Sequence, residues 1–313
     1  MKYLFLAIGF VLLIKGADYF IGGSSAVAAR LRIPGVIVGL TIVAMGTSAP
    51  ELSVSIVGAL QGQSGISVGN IIGSNIFNVL CVGGIAALIM PLKVNDVLLK
   101  RDIPISLLAV LLFLFFAWNG KISQMEGFCF LILFVVFLFF LFMDAIKSRK
   151  ATKKSINIEE NEKIAPITKN LIYIVGGLSA VVLGGETVVR SATAIAQDFG
   201  LSQSLIGLTV VALGTSLPEL ITTLVAAKKG ETDIALGNII GSNIFNIALV
   251  LGTASAITPL FVENFVLIDC FFLGLITLLL MVFSGKYKKL KPWHGGVLVL
   301  LYIVYLVYII MRG

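Results

Sequence analysis

Two glutamates, Glu51 and Glu219, lie inside long apolar runs, each closing a Gly-Thr-Ser-x-Pro-Glu string at Gly46–Glu51 and Gly214–Glu219. An ionised carboxylate at membrane depth is costly, so it is kept for function or kept with a partner. Pro50 and Pro218 sharpen the expectation. Neither has an N–H to donate, and each ring displaces the carbonyl four residues earlier, at Gly46 and Gly214. Freed carbonyls survive at that depth only where they are buried in protein or line a cavity, and there they can face a cation. The hydroxyls of Thr47, Ser48, Thr215 and Ser216 flank the same breaks.

A second string, Gly-Asn-Ile-Ile-Gly-Ser-Asn-Ile-Phe-Asn, runs from Gly69 to Asn78 and returns letter for letter from Gly237 to Asn246. Asn70, Ser74 and Asn78 recur at every fourth position and share one helix face, as do Asn238, Ser242 and Asn246. Two readings are open for Asn70 and Asn238, ion contact or hydrogen bonding between helices; Ser74, Asn78 and their partners read as ion contacts. The glycines of each string read as surfaces for close helix approach. Calcium takes about 6 to 8 oxygen ligands, and this inventory is all oxygen. Soft-metal ligands are scarce: one histidine, and three cysteines within apolar runs. No resident cofactor is expected. Asp18 and Glu186 are a further repeat-related pair of acids, read either as snorkelling or paired with Lys15, or as part of an ion route.

The elements that must position these residues are membrane helices. The chain has 313 residues, 58% of them hydrophobic and 12% charged, with a mean hydropathy of +1.06. At about 20 apolar residues per span, that length predicts roughly ten helices and no sizeable soluble domain. Both motifs repeat at an offset of 168, and 25 of the 40 residues from position 39 to 78 are identical to their partners. The predicted organisation is an all-α polytopic protein of ten transmembrane helices. Two five-helix repeats, 1–143 and 171–313, are joined by a polar stretch, 144–170, that reads as an extended linker. An odd number of spans per repeat makes the repeats inverted in topology. With the termini outside and the linker cytoplasmic, 18 basic residues fall inside and 4 outside, as the positive-inside rule requires. The net charge of +7 therefore reads as loop topology in a cell membrane, not as nucleic-acid binding. No obligatory protein partner is indicated; the lipid bilayer is the expected surrounding.

On the two Gly-Thr-Ser-x-Pro-Glu strings and the paired Gly-Asn-Ile-Ile-Gly-Ser-Asn-Ile-Phe-Asn strings, the sequence resembles the sodium/calcium exchangers of the cation/calcium exchanger superfamily, nearest to prokaryotic members, over nearly its whole length. The resemblance implies four central helices around the ion sites, with calcium held by Glu51 and Glu219 and by backbone oxygens at Thr47 and Thr215. It implies sodium contacts at the Ala44 and Ala212 carbonyls and at Ser48, Ser216, Ser74 and Ser242, with Asn78 and Asn246 near the centre. It further implies that the first span of each half slides as a gating pair. Potassium-dependent relatives carry an acid where this chain has Asn246, so potassium coupling is not expected. The resulting expectation is a secondary antiporter, not an enzyme, exchanging calcium for about three sodium ions by alternating access. A calcium/proton antiporter of the same superfamily is the alternative. Two further rivals are a cation channel, with its acids in a ring around a continuous pore, which saturable counter-ion exchange would exclude, and an intramembrane hydrolase, for which no oxyanion or nucleophile motif is present.

Overall fold

A computed structural model describes residues 1–155, 167–199 and 212–312 of the chain. They are mostly helical. The long elements are α1 (Lys2–Leu31), a bent pair α2 (Gly35–Thr47) and α3 (Ala49–Leu60), α4 (Ser64–Ile89), α5 (Leu98–Asn119) and α6 (Gln124–Ser155). The second half supplies α7 (Ile167–Asp198), a second broken pair α8 (Ala212–Thr215) and α9 (Leu217–Lys228), α10 (Thr232–Ile257), α11 (Asn264–Tyr287) and α12 (Pro292–Arg312). Among the described residues, eight helices are long and apolar enough to cross a membrane, and α2 with α3 makes a ninth if the bent pair is one span. The first part of the 203–227 span lies outside the described residues.

Burial separates centre from periphery. In the most apolar stretch of each helix, 94% of α10 and 78% of α4 are buried within protein, against 22% for α6 and α12. The Gly-Asn helices are thus the core, and the exposed Phe139, Phe142, Ile132 and Val135 of α6 form a lipid-facing surface. Glycines set the central distances: a Cβ on Gly39 would lie 2.6 Å from the Ile234 carbonyl oxygen, and one on Gly237 2.7 Å from that of Val36. Only hydrogen fits there, so α2 and α10 run backbone to backbone. Helices α1 and α7 are joined in the same way through Gly16 and Gly177.

Two short ribbons tie the halves together. Leu92–Lys93 pairs antiparallel with Lys289–Leu290, and Lys121–Ile122 with Leu260–Phe261. The offset of 168 exchanges one ribbon for the other. Two differences from the sequence expectation stand out. The 144–170 linker does not begin as extended chain: α6 continues through Ser155, because Asp144–Ser155 contains neither proline nor glycine and is rich in helix-forming lysine and alanine. Residues 156–166 of the linker, with Glu159, Glu160 and Glu162, lie outside the described residues, and its last four, from Ile167, already belong to α7. Asp18 pairs with Lys229 at 2.8 Å rather than with Lys15, since α1 packs against α9 and brings that lysine within reach.

Candidate ion-binding site

Both breaks in the helices fall where the prolines require. α2 and α3 meet at Ser48, with φ −83° and ψ 7°, and bend by 48°; Ser216 has φ −93° and ψ 7° at the second break. The ladder resumes when Leu52 N–H donates to the Ser48 carbonyl and Leu220 N–H to that of Ser216, each at 3.1 Å. Glu51 and Glu219 therefore sit in the first turn of α3 and α9, where the helix N-terminus favours negative charge. The Gly46 carbonyl loses its donor because Pro50 has none.

The two carboxylates are fully buried and each is held from the opposite half. Ser48 Oγ donates to Glu219 Oε1 at 2.9 Å, and Ser216 Oγ donates to Glu51 Oε1 at 3.1 Å. Ser216 Oγ also lies 3.0 Å from Ser74 Oγ. Each glutamate spends one oxygen on a serine and leaves the other, Glu51 Oε2 and Glu219 Oε2, with no donor. Four more buried oxygens of the two motifs lack a hydrogen-bond partner: Asn78 Oδ1, Asn243 Oδ1, Asn246 Oδ1 and Ser242 Oγ. Buried acceptors are normally satisfied. Six such oxygens on the motif residues, two of them carboxylate, form a set suited to a hard cation.

Asn70 and Asn238 resolve in favour of helix bracing. Asn70 Nδ2 donates to Ser55 Oγ at 3.1 Å, and its Oδ1 accepts from Thr215 at 3.3 Å. Asn238 Nδ2 donates to Thr223 Oγ1 at 2.8 Å and faces Thr222 Oγ1 at 3.3 Å, while its Oδ1 faces the Thr47 hydroxyl at 3.2 Å. The threonine hydroxyls of both breaks are thus fixed by the asparagines of the other half. The Ala44 carbonyl accepts Ser48 N–H at 3.0 Å. Ala212 stands at the edge of the described residues as the first residue of α8, and its surroundings lie outside them. Asp18 and Glu186 do not reach this site: Asp18 pairs with Lys229, and Glu186 with Arg190 at 2.5 Å one turn away.

Asn75 and Asn243, which the every-fourth-residue pattern passes over, join the halves at the centre. Asn75 Nδ2 donates to the Asn243 carbonyl at 3.1 Å and Asn243 Nδ2 to the Asn75 carbonyl at 3.3 Å. Asn246 Nδ2 then donates to Asn75 Oδ1 at 3.0 Å. Their signal in the sequence was their identity at the repeat offset, inside a string that is otherwise apolar on that face. Wider π-type turns cover Asn78–Val82 and Phe245–Leu251, a distortion frequent at functional sites, so both Asn78 and Asn246 sit in loosened helix.

A family profile described as sodium/calcium exchanger protein matches residues 1–143 and 169–311. The chain belongs to the sodium/calcium exchanger family. It is accordingly a multi-pass membrane protein and a cation/calcium antiporter by family. Among relatives, the sodium/calcium exchanger MaX1 of Methanosarcina acetivorans is 36% identical over 345 aligned residues, covering 98% of each chain. The inner membrane protein YrbG of Escherichia coli is 37% identical over 260 residues, covering 81% of this chain and 79% of its own. The solved structure of the sodium-calcium exchanger NCX_Mj superposes with a TM-score of 0.85 at 35% identity, covering 98% of this chain and 97% of that one. The broken helices and buried glutamates are therefore features of an exchanger.

Proposed function

We propose that this exchanger moves calcium against sodium through one central site built from both repeats, with Glu51 and Glu219 as the charged ligands. The observation that carries the reading is the group of buried motif oxygens without donors, among them those of Glu51, Glu219, Asn78, Asn246 and Ser242. The Thr47 and Thr215 backbone oxygens complete the calcium ligands. Ser48, Ser216, Ser74, Ser242 and the Ala44 and Ala212 carbonyls serve sodium. Two carboxylates are neutralised by one calcium or by two sodium ions, and the neutral oxygens provide for one more. Exchange of about three sodium ions per calcium then moves about one net charge, on which a 100 mV potential acts with about 2.3 kcal/mol. No covalent step is involved.

The architecture proposed for this cycle is ten helices in two inverted repeats, 1–143 and 171–313, with α1 and α7 as the sliding pair. The termini lie outside and 144–170 in the cytoplasm. Several contacts support that alternation, because they join loops or helix ends assigned to one face: the ribbon of Leu92–Lys93 with Lys289–Leu290 and the pair Asp96–Lys288 inside, the pair Lys2–Asp198 outside. A single cysteine at Ser155 in a cysteine-free background resists impermeant thiol reagents in intact cells if this orientation holds. Ready labelling there reverses it.

The function itself is tested by radiocalcium uptake into proteoliposomes under imposed sodium, proton or potassium gradients. The expected result is uptake driven by an outward sodium gradient and responsive to voltage. Uptake that ignores sodium and follows a pH gradient assigns the protein as a calcium/proton antiporter instead.

A further inference from the structure

Helices α6 and α12 have the least protein around them, and each runs back antiparallel to its predecessor, α5 or α11, after a short turn, so that the two form a hairpin whose helices touch only sparsely along their length. The turn of each hairpin is pinned to the other half by a ribbon. The open end needs another restraint, and in both halves it is an ion pair at positions 168 apart with the charges exchanged. In the first hairpin Arg101, at the start of α5, pairs through Nη1 with Asp144 late in α6. In the second, the matching positions hold Asp269 and Arg312, with Arg312 Nη1 3.0 Å from both carboxylate oxygens of Asp269. None of the four side chains is more than 27% exposed.

The surroundings have been exchanged along with the charges. Arg101 Nε donates to the buried Asp102 at 2.7 Å, and the position matching Asp102 is Cys270. Arg312 instead lies over the rings of Phe265, 4.5 Å from the centroid, and Tyr308, 5.2 Å away. The matching positions are Val97 and Phe140. Each guanidinium thus has its own neighbours, an acid in one half and aromatic faces in the other. A pair needed only for its net charge would not require a partner at the matching place in the other repeat.

We propose that Arg101–Asp144 and Asp269–Arg312 are one clamp used twice with its polarity reversed, and that it keeps the two outer hairpins closed throughout the transport cycle. The second part rests on the antiporter reading; the first does not. Reversing one charge leaves two like charges facing each other in a half-buried place, a costly arrangement. Arg101→Asp or Asp144→Arg alone therefore lowers the melting temperature of the purified protein by several degrees and lowers calcium exchange. The set Arg101→Asp, Asp102→Cys and Asp144→Arg gives the first half the second half's residues at these positions, and it recovers most of both losses. A set no better than Arg101→Asp alone overturns the clamp.

The cycle claim is read separately. With the native cysteines Cys81, Cys129 and Cys270 replaced, Arg101→Cys with Asp144→Cys is bridged by a short bis-maleimide. The bridged protein exchanges calcium at close to the rate of the unbridged variant if the hairpin stays closed. Loss of exchange on bridging, with the unbridged variant active, shows that the pair must open and overturns that part. A wild-type protein that exchanges no calcium defeats the antiporter reading, and the melting temperatures still decide the clamp.

Discussion

The two halves place the same residues around the carboxylates but do not bond them in the same way. In the first half Ser74 is engaged by Ser216, and Asn78 has no partner for either amide atom. In the second half Ser242 has no partner, and Asn246 is anchored through Nδ2 to Asn75. The glutamates, by contrast, are treated alike, each held by the serine of the opposite break. Charge placement is therefore symmetric while the bonding of the neutral groups is not. Because the residues are identical at the repeat offset, exchanging the two patterns yields a state of equal chemistry, facing the other way if the repeats are inverted as proposed. Equivalent states of that kind are what an inverted repeat offers an antiporter.

The comparison is broken most severely at its symmetric part. Glu51→Gln and Glu219→Gln each remove one of two charges from a site meant for a divalent ion, and losing one charged partner in a buried place costs about 3–5 kcal/mol. Radiocalcium exchange in proteoliposomes is expected to fall by about 100-fold or more for either variant, with the protein still inserted. Comparable losses at the two positions support the symmetric reading; a variant at wild-type rate removes that glutamate from the site.

The cross-half asparagines come next. Asn75→Ala takes the Nδ2 donor from the Asn243 carbonyl and strands Asn246 Nδ2, while Asn243 Nδ2 keeps the backbone carbonyl at position 75; each buried group left without a partner costs about 1–3 kcal/mol. Exchange is expected to drop by about tenfold, with a lower melting temperature; Asn246→Ala is expected to lower the melting temperature less, because it breaks only one hydrogen bond, though it also takes Asn246 Oδ1 from the proposed site.

The serines give a finer test. Ser48→Ala removes one hydrogen bond to a carboxylate, whereas Ser216→Ala removes one and frees Ser74 as well. Each bond to a charged group is worth about 1.5–3 kcal/mol, so calcium affinity is expected to weaken for both and more for Ser216→Ala. Equal affinities for the two variants argue that the unlike bonding of Ser74 and Ser242 has no bearing on the ion. The smallest expected effect is none: replacing potassium with choline at controlled voltage leaves exchange unchanged, because Asn78 and Asn246 add no charge to balance a further cation.

How much of this was legible in the sequence follows from range. The glutamates announced themselves because an acid inside an apolar run is costly wherever the chain goes, and the prolines located the breaks through local geometry alone. The exchange of serines between halves was not legible, since Ser48 and Ser216 touch residues more than 160 positions away. Asn75 and Asn243 were passed over because spacing by fours selects the neighbouring face. For Asp18 the sequence leaves snorkelling, a pair with Lys15 and an ion route open, and the packing of α1 on α9 gives it Lys229 instead. The linker was read as extended from its polarity, and polarity does not stop a helix that lacks proline and glycine.

The central claim, one site shared by both halves and open to either ion, is tested most directly by equilibrium binding of radiocalcium to the purified protein as sodium is raised. The account predicts one calcium per chain, lost when either Glu51 or Glu219 becomes glutamine, and displaced by sodium with a steepness of about three. Calcium binding that persists at high sodium, or that survives in either glutamine variant, contradicts it.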